Sequence, residues 1–262
     1  MSAMASTGND HVAVWDSDAH ICEPPSVWES YAEPEYRDLV VQVDRNREGK
    51  EMLFAGGKDA GNSPAPACIP GQYGNPEVTW NDILPGSYDP AARLKVMDEE
   101  GLDHAVFFPS LYLLSGEVTD GRVAAASARA YNNWMADFVS EDRSRLFGVA
   151  VTPLQSVDEA VEEIERVAGL GLSGLTFRPE RYNGLELYSD EMDRVWSAAE
   201  YANLFVGIHG SFGSKMPSFA RTRYANQFFV HMVCHPFEQM ASVMEIIASG
   251  VLDKHPGLRV GF

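Results

Sequence analysis

Asp16, Asp18 and His20 stand at alternate positions directly after a short apolar run, Val12 to Trp15. Carboxylate oxygens and an imidazole nitrogen together suit zinc, manganese or iron. In a strand, alternate residues point to the same side, so Asp18 and His20 would project together at the strand's C-terminal end. The competing reading is a strand followed by a polar turn, with His20 solvated or capped. A second histidine, His209, closes another apolar run, Phe205-Val-Gly-Ile-His209, ahead of Gly210 and Ser211. A single histidine so placed is more often packed core than ligand. Two at equivalent strand ends, one with an aspartate two residues away, point to a metal site. Three protein ligands with one position open is the catalytic arrangement. No candidate for a fourth ligand stands out.

Arg178 also ends a strand-like run, between Phe177 and Pro179. It could hold a substrate carboxylate through two parallel hydrogen bonds, or serve a structural ion pair. His235-Pro-Phe-Glu238 reads as the opening of the last complete helix, with Pro236 in its first turn and Glu238 favoured by the dipole. His235 there is a pocket wall or proton carrier. Asn133, mid-helix where Asn is mildly unfavourable, either bonds a loop beneath the pocket or faces solvent. His104 and His231 read as ordinary strand-start or loop residues, and His11 and His255 as exposed.

The elements that must position these groups alternate regularly from Asp89 on. The pattern predicts helices over 90–100, about 120–141, 157–170, about 190–202 and about 237–249. Strands are expected at His104–Pro109, Leu146–Val151, Gly174–Arg178, Leu204–His209 and from Leu258. Asp89-Pro90, Ser156 with Glu159, and Gly101 supply the starts and a stop. Strands alternating with helices mean a parallel sheet, and apolar strands mean one buried on both faces. No glycine-rich phosphate loop follows any strand, so a barrel is preferred, with its chemistry at the C-terminal strand ends. At roughly 30 residues per strand–helix unit the chain holds about six units, not eight. Residues 21–86, rich in proline and glycine, form an insertion after strand 1. Leu39–Val43 and Glu51–Phe54 are expected to pair as a hairpin. Trp28, Tyr31, Tyr36, Tyr73 and Trp80 favour a lid over the active face rather than a disordered linker.

The chain has 262 residues, 45% of them hydrophobic, enough for one large core. Its net charge of −18 argues against nucleic acid as a partner. Cys22, Cys68 and Cys234 are far apart and show no paired spacing, which fits unpaired thiols in a reducing cytoplasm. Residues 1–10 read as a flexible leader without signal-peptide character, and no apolar run of membrane-spanning length occurs. The expected organisation is thus the leader followed by one domain, 11–262.

Asp16-Ser-Asp18-Ala-His20-Ile-Cys-Glu23-Pro24 resembles the strand-1 signature of the amidohydrolase-2 group, the aminocarboxymuconate-semialdehyde decarboxylase-like metal enzymes. Tyr131-Asn132-Asn133-Trp134, Phe177-Arg178-Pro179, Ile208-His209-Gly210 and Gly250 to Val260 match further blocks in order. The resemblance spans roughly 12–262. It implies a distorted (β/α)8 barrel of the TIM type with one divalent metal, Zn or Mn. The family catalyses either non-oxidative decarboxylation of unsaturated or aromatic acids or hydrolysis. Asp18 stands where the usual first histidine would be, as in a branch that places a carboxylate there, commonly Glu. His20 matches the second histidine and His209 the strand-5 ligand. The family's acid–base residue and a metal-binding Asp would fall after Phe262, so the chain reads as an incomplete barrel, truncated after strand 6.

The reading is a metal-dependent enzyme acting on a small carboxylic acid. Asp18, His20 and His209 hold the metal, Arg178 binds the substrate carboxylate and His235 is the catalytic candidate. The mixed first shell and Arg178 favour decarboxylation. The rival within enzymes is a hydrolase using a metal-bound hydroxide. The rival from another class is a non-catalytic barrel fragment that associates with itself or a partner. Unpaired parallel edges favour a homo-oligomer.

Overall fold

The computed structural model describes residues 12–60, 68–69, 72, 75, 77–179, 181–210 and 222–262. The expected leader, His11, Tyr73 and Ser211 lie outside them. Six strands form one parallel sheet: β1 (Trp15–His20), β5 (His104–Phe108), β6 (Leu146–Val151), β7 (Gly174–Phe177), β8 (Phe205–Ile208) and β9 (Val260–Gly261), adjacent in that order. Three further strands, β2 (Gln42–Arg45), β3 (Glu51–Ala55) and β4 (Lys58–Asp59), make a separate antiparallel sheet.

Helices connect the parallel strands. They are α1 (Pro90–Glu100), α2 (Gly121–Ser140), α3 (Val157–Ala168), α4 (Asp193–Tyr201), α5 (Gln227–Ala248) and α6 (Val251–Lys254). Their starts follow the sequence. Asp89 accepts from Ala92 N, Asp120 from Arg122 N and Val123 N, and Ser156 from Glu159 N. Each satisfies donors that the first turn leaves open. Gly101, at φ 73°, closes α1 in the left-handed conformation that glycine adopts freely.

The sheet is strongly curled. Four inter-strand steps separate β1 from β8, which in a flat sheet would be about 19 Å. Yet His20 Nε2 lies 3.2 Å from His209 Nε2. The curl is packed from inside: a Cβ on Gly207 of β8 would meet the Phe108 ring of β5 at 2.7 Å. This is the curvature of a TIM-type barrel, built here from six strands.

Residues 21–60 share the main hydrophobic core, through Val27, Trp28, Val40, Val41 and Leu53. They are also tied to α2: Val41 N donates to Ser127 Oγ, Tyr31 Oη to Asp137, and Arg129 to Glu33. A hairpin forms where expected but shifted: Gln42–Arg45 pairs with Glu51–Phe54, so Leu39–Val41 precede the strand and Asp44 and Arg45 belong to it.

Four expectations need correction. Strand β1 begins at Trp15, and Val12 and Val14 are exposed, so the apolar run precedes the strand and the candidate ligands lie on it. Helix α5 begins at Gln227, so His235, Pro236 and Glu238 are mid-helix. The helix carries Pro236 in its interior, where proline removes one backbone bond and crowds the carbonyl four residues back. His255 is 5% exposed, with Nε2 3.0 Å from Asp193 and Nδ1 3.4 Å from Glu200, because α6 folds it back onto α4. Cys22 and Cys68 form a disulfide, with Cα atoms 6.4 Å apart, which departs from the expected unpaired thiols. Among the described residues no helix is long and apolar enough to cross a membrane.

Candidate metal centre

His20 closes β1, His209 follows the last residue of β8, and Arg178 follows the last residue of β7. All three stand at C-terminal strand ends. Their register explains the grouping. Phe177 pairs with Ile208, so the next positions, Arg178 and His209, are lateral neighbours. His20 pairs with Phe108, whose ring centroid lies 5.1 Å from that of His209 and 6.4 Å from that of His20.

Asp18, His20 and His209 bring one ligand atom each within 4.8 Å of the others. Asp18 Oδ1 lies 3.2 Å from His209 Nε2 and 3.7 Å from His20 Nε2. A break in the β1–β5 register between Asp16 and Ala19 re-aims this stretch of β1. The Asp18 side chain is 68% exposed while both imidazoles are partly buried, so the cluster opens to solvent on the aspartate side.

The far ring nitrogens decide what the near ones can do. His20 Nδ1 is 3.0 Å from Pro109 O, and His209 Nδ1 is 2.6 Å from Gly210 O. A carbonyl only accepts, so both rings carry their proton on Nδ1. Each Nε2 then presents a lone pair toward the other and toward the Asp18 carboxylate. Two lone pairs and an anion converging at 3.2 to 3.7 Å repel one another unless a cation stands among them. A proton is disfavoured on His20, whose pKa is lowered by burial first and by His209 second, against the pull of Asp18. Two imidazoles bound to one zinc at about 2.05 Å in tetrahedral geometry would place their nitrogens about 3.3 Å apart. The donor set and its spacing therefore fit one divalent ion, with backbone carbonyls orienting both rings.

The other candidates fall around this cluster unevenly. Arg178 is 2% exposed, and its backbone N–H donates to Tyr182 Oη at 2.9 Å. His235 is near: its Nδ1 lies where a Cβ on Gly210 would approach to 2.7 Å, so a side chain at 210 would displace it. Burial, then His231, then His209 lower its pKa. His231 faces His235 with ring centroids 4.6 Å apart. His104 lies at the opposite end of β5 and bonds Ser144 O. Asn133 accepts from Arg166, while its neighbour Asn132 bonds the last residue of β6 rather than a loop. It donates to Val151 O at 3.0 Å and accepts from Val151 N at 2.8 Å, at the end of β6.

Sequence reasoning passed over Glu23. It is fully buried, and its carboxylate accepts from Ser110, Leu111 and Tyr112 N–H. Burial pushes its pKa up to about 7, against those three donors. The available signal was a carboxylate placed three residues after His20 and directly before Pro24-Pro25.

A curled parallel sheet with a carboxylate–imidazole cluster at its C-terminal strand ends defines the metal-dependent hydrolase class of barrels. The chain belongs to the amidohydrolase family (Amidohydro_2), whose model matches residues 15–262. It is 26% identical over 193 residues to a gamma-resorcylate decarboxylase of Polaromonas sp. strain JS666, covering 71% of this chain and 58% of that protein. The chain thus spans under two thirds of the length of that relative. Among solved structures it resembles an amidohydrolase from Mycobacterium avium subsp. paratuberculosis K-10, with a TM-score of 0.75 at 22% identity over 95% of this chain and 71% of that one. It also resembles a dihydroxybenzoic acid decarboxylase from Polaromonas sp. JS666 with bound manganese and the inhibitor 2-nitroresorcinol. There the TM-score is 0.63 at 17% identity, over 95% of this chain and 64% of that one.

Proposed function

We propose that the protein is a metal-dependent carboxy-lyase that removes CO2 from a small aromatic or unsaturated carboxylic acid. The observation that carries this reading is the convergence of Asp18, His20 and His209 with both Nδ1 atoms committed to backbone carbonyls. These residues hold one divalent ion, manganese or zinc. When bound, the ion supplies positive charge that orients and polarises substrate oxygens. Arg178, buried beside His209, fixes the substrate carboxylate and brings positive charge to the site. The bond from ring carbon to carboxylate breaks, CO2 departs, and the remaining electron pair takes a proton. His235 carries that proton. Its imidazole, lowered in pKa, is mostly neutral near pH 7, so it receives the proton from solvent and passes it on.

The described residues of the 21–86 insertion cover the ligand-bearing end of the curled sheet. Copies of the chain associate, since α5 leaves Phe228, Met240, Met244 and Ile247 exposed.

The test is metal analysis and turnover of gamma-resorcylate, followed by loss of its absorbance and release of CO2. Wild type should hold about one Mn or Zn per chain and lose activity on chelation. His20→Ala and His209→Ala should hold none. Equal metal content in wild type and both variants, or turnover that survives chelation, would sink the reading. Ester hydrolysis without CO2 release would replace it with the hydrolase alternative.

A further inference from the structure

The exit of β1 is laced to the exit of β5. Ile21 N donates to Phe108 O at 3.4 Å, and His20 Nδ1 to Pro109 O at 3.0 Å. Three consecutive N–H groups then turn onto one buried carboxylate. Glu23 Oε1 accepts from Ser110 N at 3.0 Å and Tyr112 N at 3.2 Å, and Oε2 accepts from Leu111 N at 2.9 Å.

The key link is covalent. The Pro109 carbonyl and the Ser110 N–H belong to the same planar trans peptide unit and point to opposite sides of it. Glu23 grips the N–H side, and His20 uses the carbonyl side. The plane cannot rotate to release His20 without breaking the Ser110–Glu23 bond. Proline has no N–H of its own, so the carbonyl is the only polar backbone group Pro109 offers.

We propose that Glu23 is a positioning residue of the metal centre: by fixing the Pro109–Ser110 peptide plane it keeps the His20 proton on Nδ1 and its Nε2 turned to Asp18 and His209. The inference rests on the reading of Asp18, His20 and His209 as metal ligands. Its first readout, however, requires no metal.

Glu23→Gln keeps the volume but has one acceptor where the carboxylate has two. Its amide can satisfy Ser110 and Tyr112 only by setting its own donor against Leu111 N–H. The experiment compares wild type, Glu23→Gln and His209→Ala at pH 8. Histidine ring 15N shifts are recorded in the metal-free protein, and Mn and Zn binding by calorimetry. Wild-type His20 should be a single Nδ1–H tautomer. Glu23→Gln should show a tautomer mixture and bind either metal at least about tenfold more weakly, the usual scale for an outer-shell partner. A role confined to stability would lower the melting temperature and leave tautomer and affinity unchanged in the folded variant. Unchanged tautomer and affinity in Glu23→Gln, beside a His209→Ala that has lost metal, would overturn this inference alone. Wild type that binds neither metal would overturn the reading of the site and the inference with it. A wild-type His20 protonated on Nε2 refutes the inference with no variant needed.

Discussion

Asn132→Ala is expected to destabilise the protein by about 4 kcal/mol, and its neighbour Asn133→Ala by about 1. Asn132 is fully buried on α2 and makes three bonds. It donates to Val151 O at 3.0 Å and to Glu163 Oε1 at 2.5 Å, and accepts from Val151 N at 2.8 Å. Val151 lies past the last register pair between β5 and β6, Phe107 with Gly148. The asparagine therefore continues the role of a strand partner. Truncation leaves a buried N–H and a buried C=O unpaired, at roughly 1 to 3 kcal/mol each. Glu163 loses less, because Arg166 still grips both its oxygens at 2.7 and 2.8 Å. Asn133 has one bond, from Arg166 Nη1 at 2.7 Å, and water can replace it. Urea unfolding with a common slope would measure both variants. A cost for Asn132→Ala below about 1.5 kcal/mol, or one no larger than that of Asn133→Ala, would refute the argument that this side chain serves as a strand partner.

Gly207→Ala forces a Cβ to within 2.7 Å of the Phe108 ring, which packs against both histidines, so about 1 to 3 kcal/mol of stability and part of the metal affinity should be lost. A variant as stable and as tight-binding as wild type would contradict that packing. Reduction of Cys22–Cys68, which spans a sequence separation of 46, should lower stability by up to about 4 kcal/mol on the chain-entropy estimate, read as a fall in the urea midpoint with added reductant. Glu23 titrates at about 7 when folded against an ordinary value of 4.5, because burial favours its neutral form. The stability this lends is full below pH 4.5 and is lost as pH rises through 7. The wild-type minus Glu23→Gln difference should therefore shift against wild type by about 3 kcal/mol across that window, and a flat difference would show that the folded carboxyl titrates normally.

Strand β6 was legible to the residue because Leu146–Val151 is apolar throughout and bounded by polar residues. Strand β1 was not, because Val12 and Val14 signal hydrophobicity but are exposed, and the paired stretch is Trp15 to His20, which carries both aspartates. The start of α5 was missed because Pro236 reads as a first-turn residue, and its interior position goes against proline's usual place in a helix. Asn132 and Asn133 differ by one position, about 100° around a helix, and only the placement of β6 reveals which points inward. The convergence of Asp18, His20 and His209 was legible because their placement repeats a strand-end pattern. Glu23 was not, because its partners lie 87 to 89 residues away and are backbone groups, invisible to any reading of side-chain types.

That contrast bears on how the centre is built. Its three donors come from strands four steps apart in the sheet, so their spacing is set by curvature rather than by local sequence. Curvature here has identifiable parts. Gly207 and Gly174 leave room on the inner face, where a Cβ at either would strike the rings of Phe108 or Phe205. Phe108 fills that room and lies against both imidazoles. Above this layer, the peptide after Phe108 is clamped between His20 and Glu23. The inner glycines and one phenylalanine bring the histidines to bonding distance, and the buried carboxylate fixes which nitrogen of His20 faces inward. A site with ligands but without this layer would keep the donor types and lose the 3.2 Å spacing that suits a metal ion.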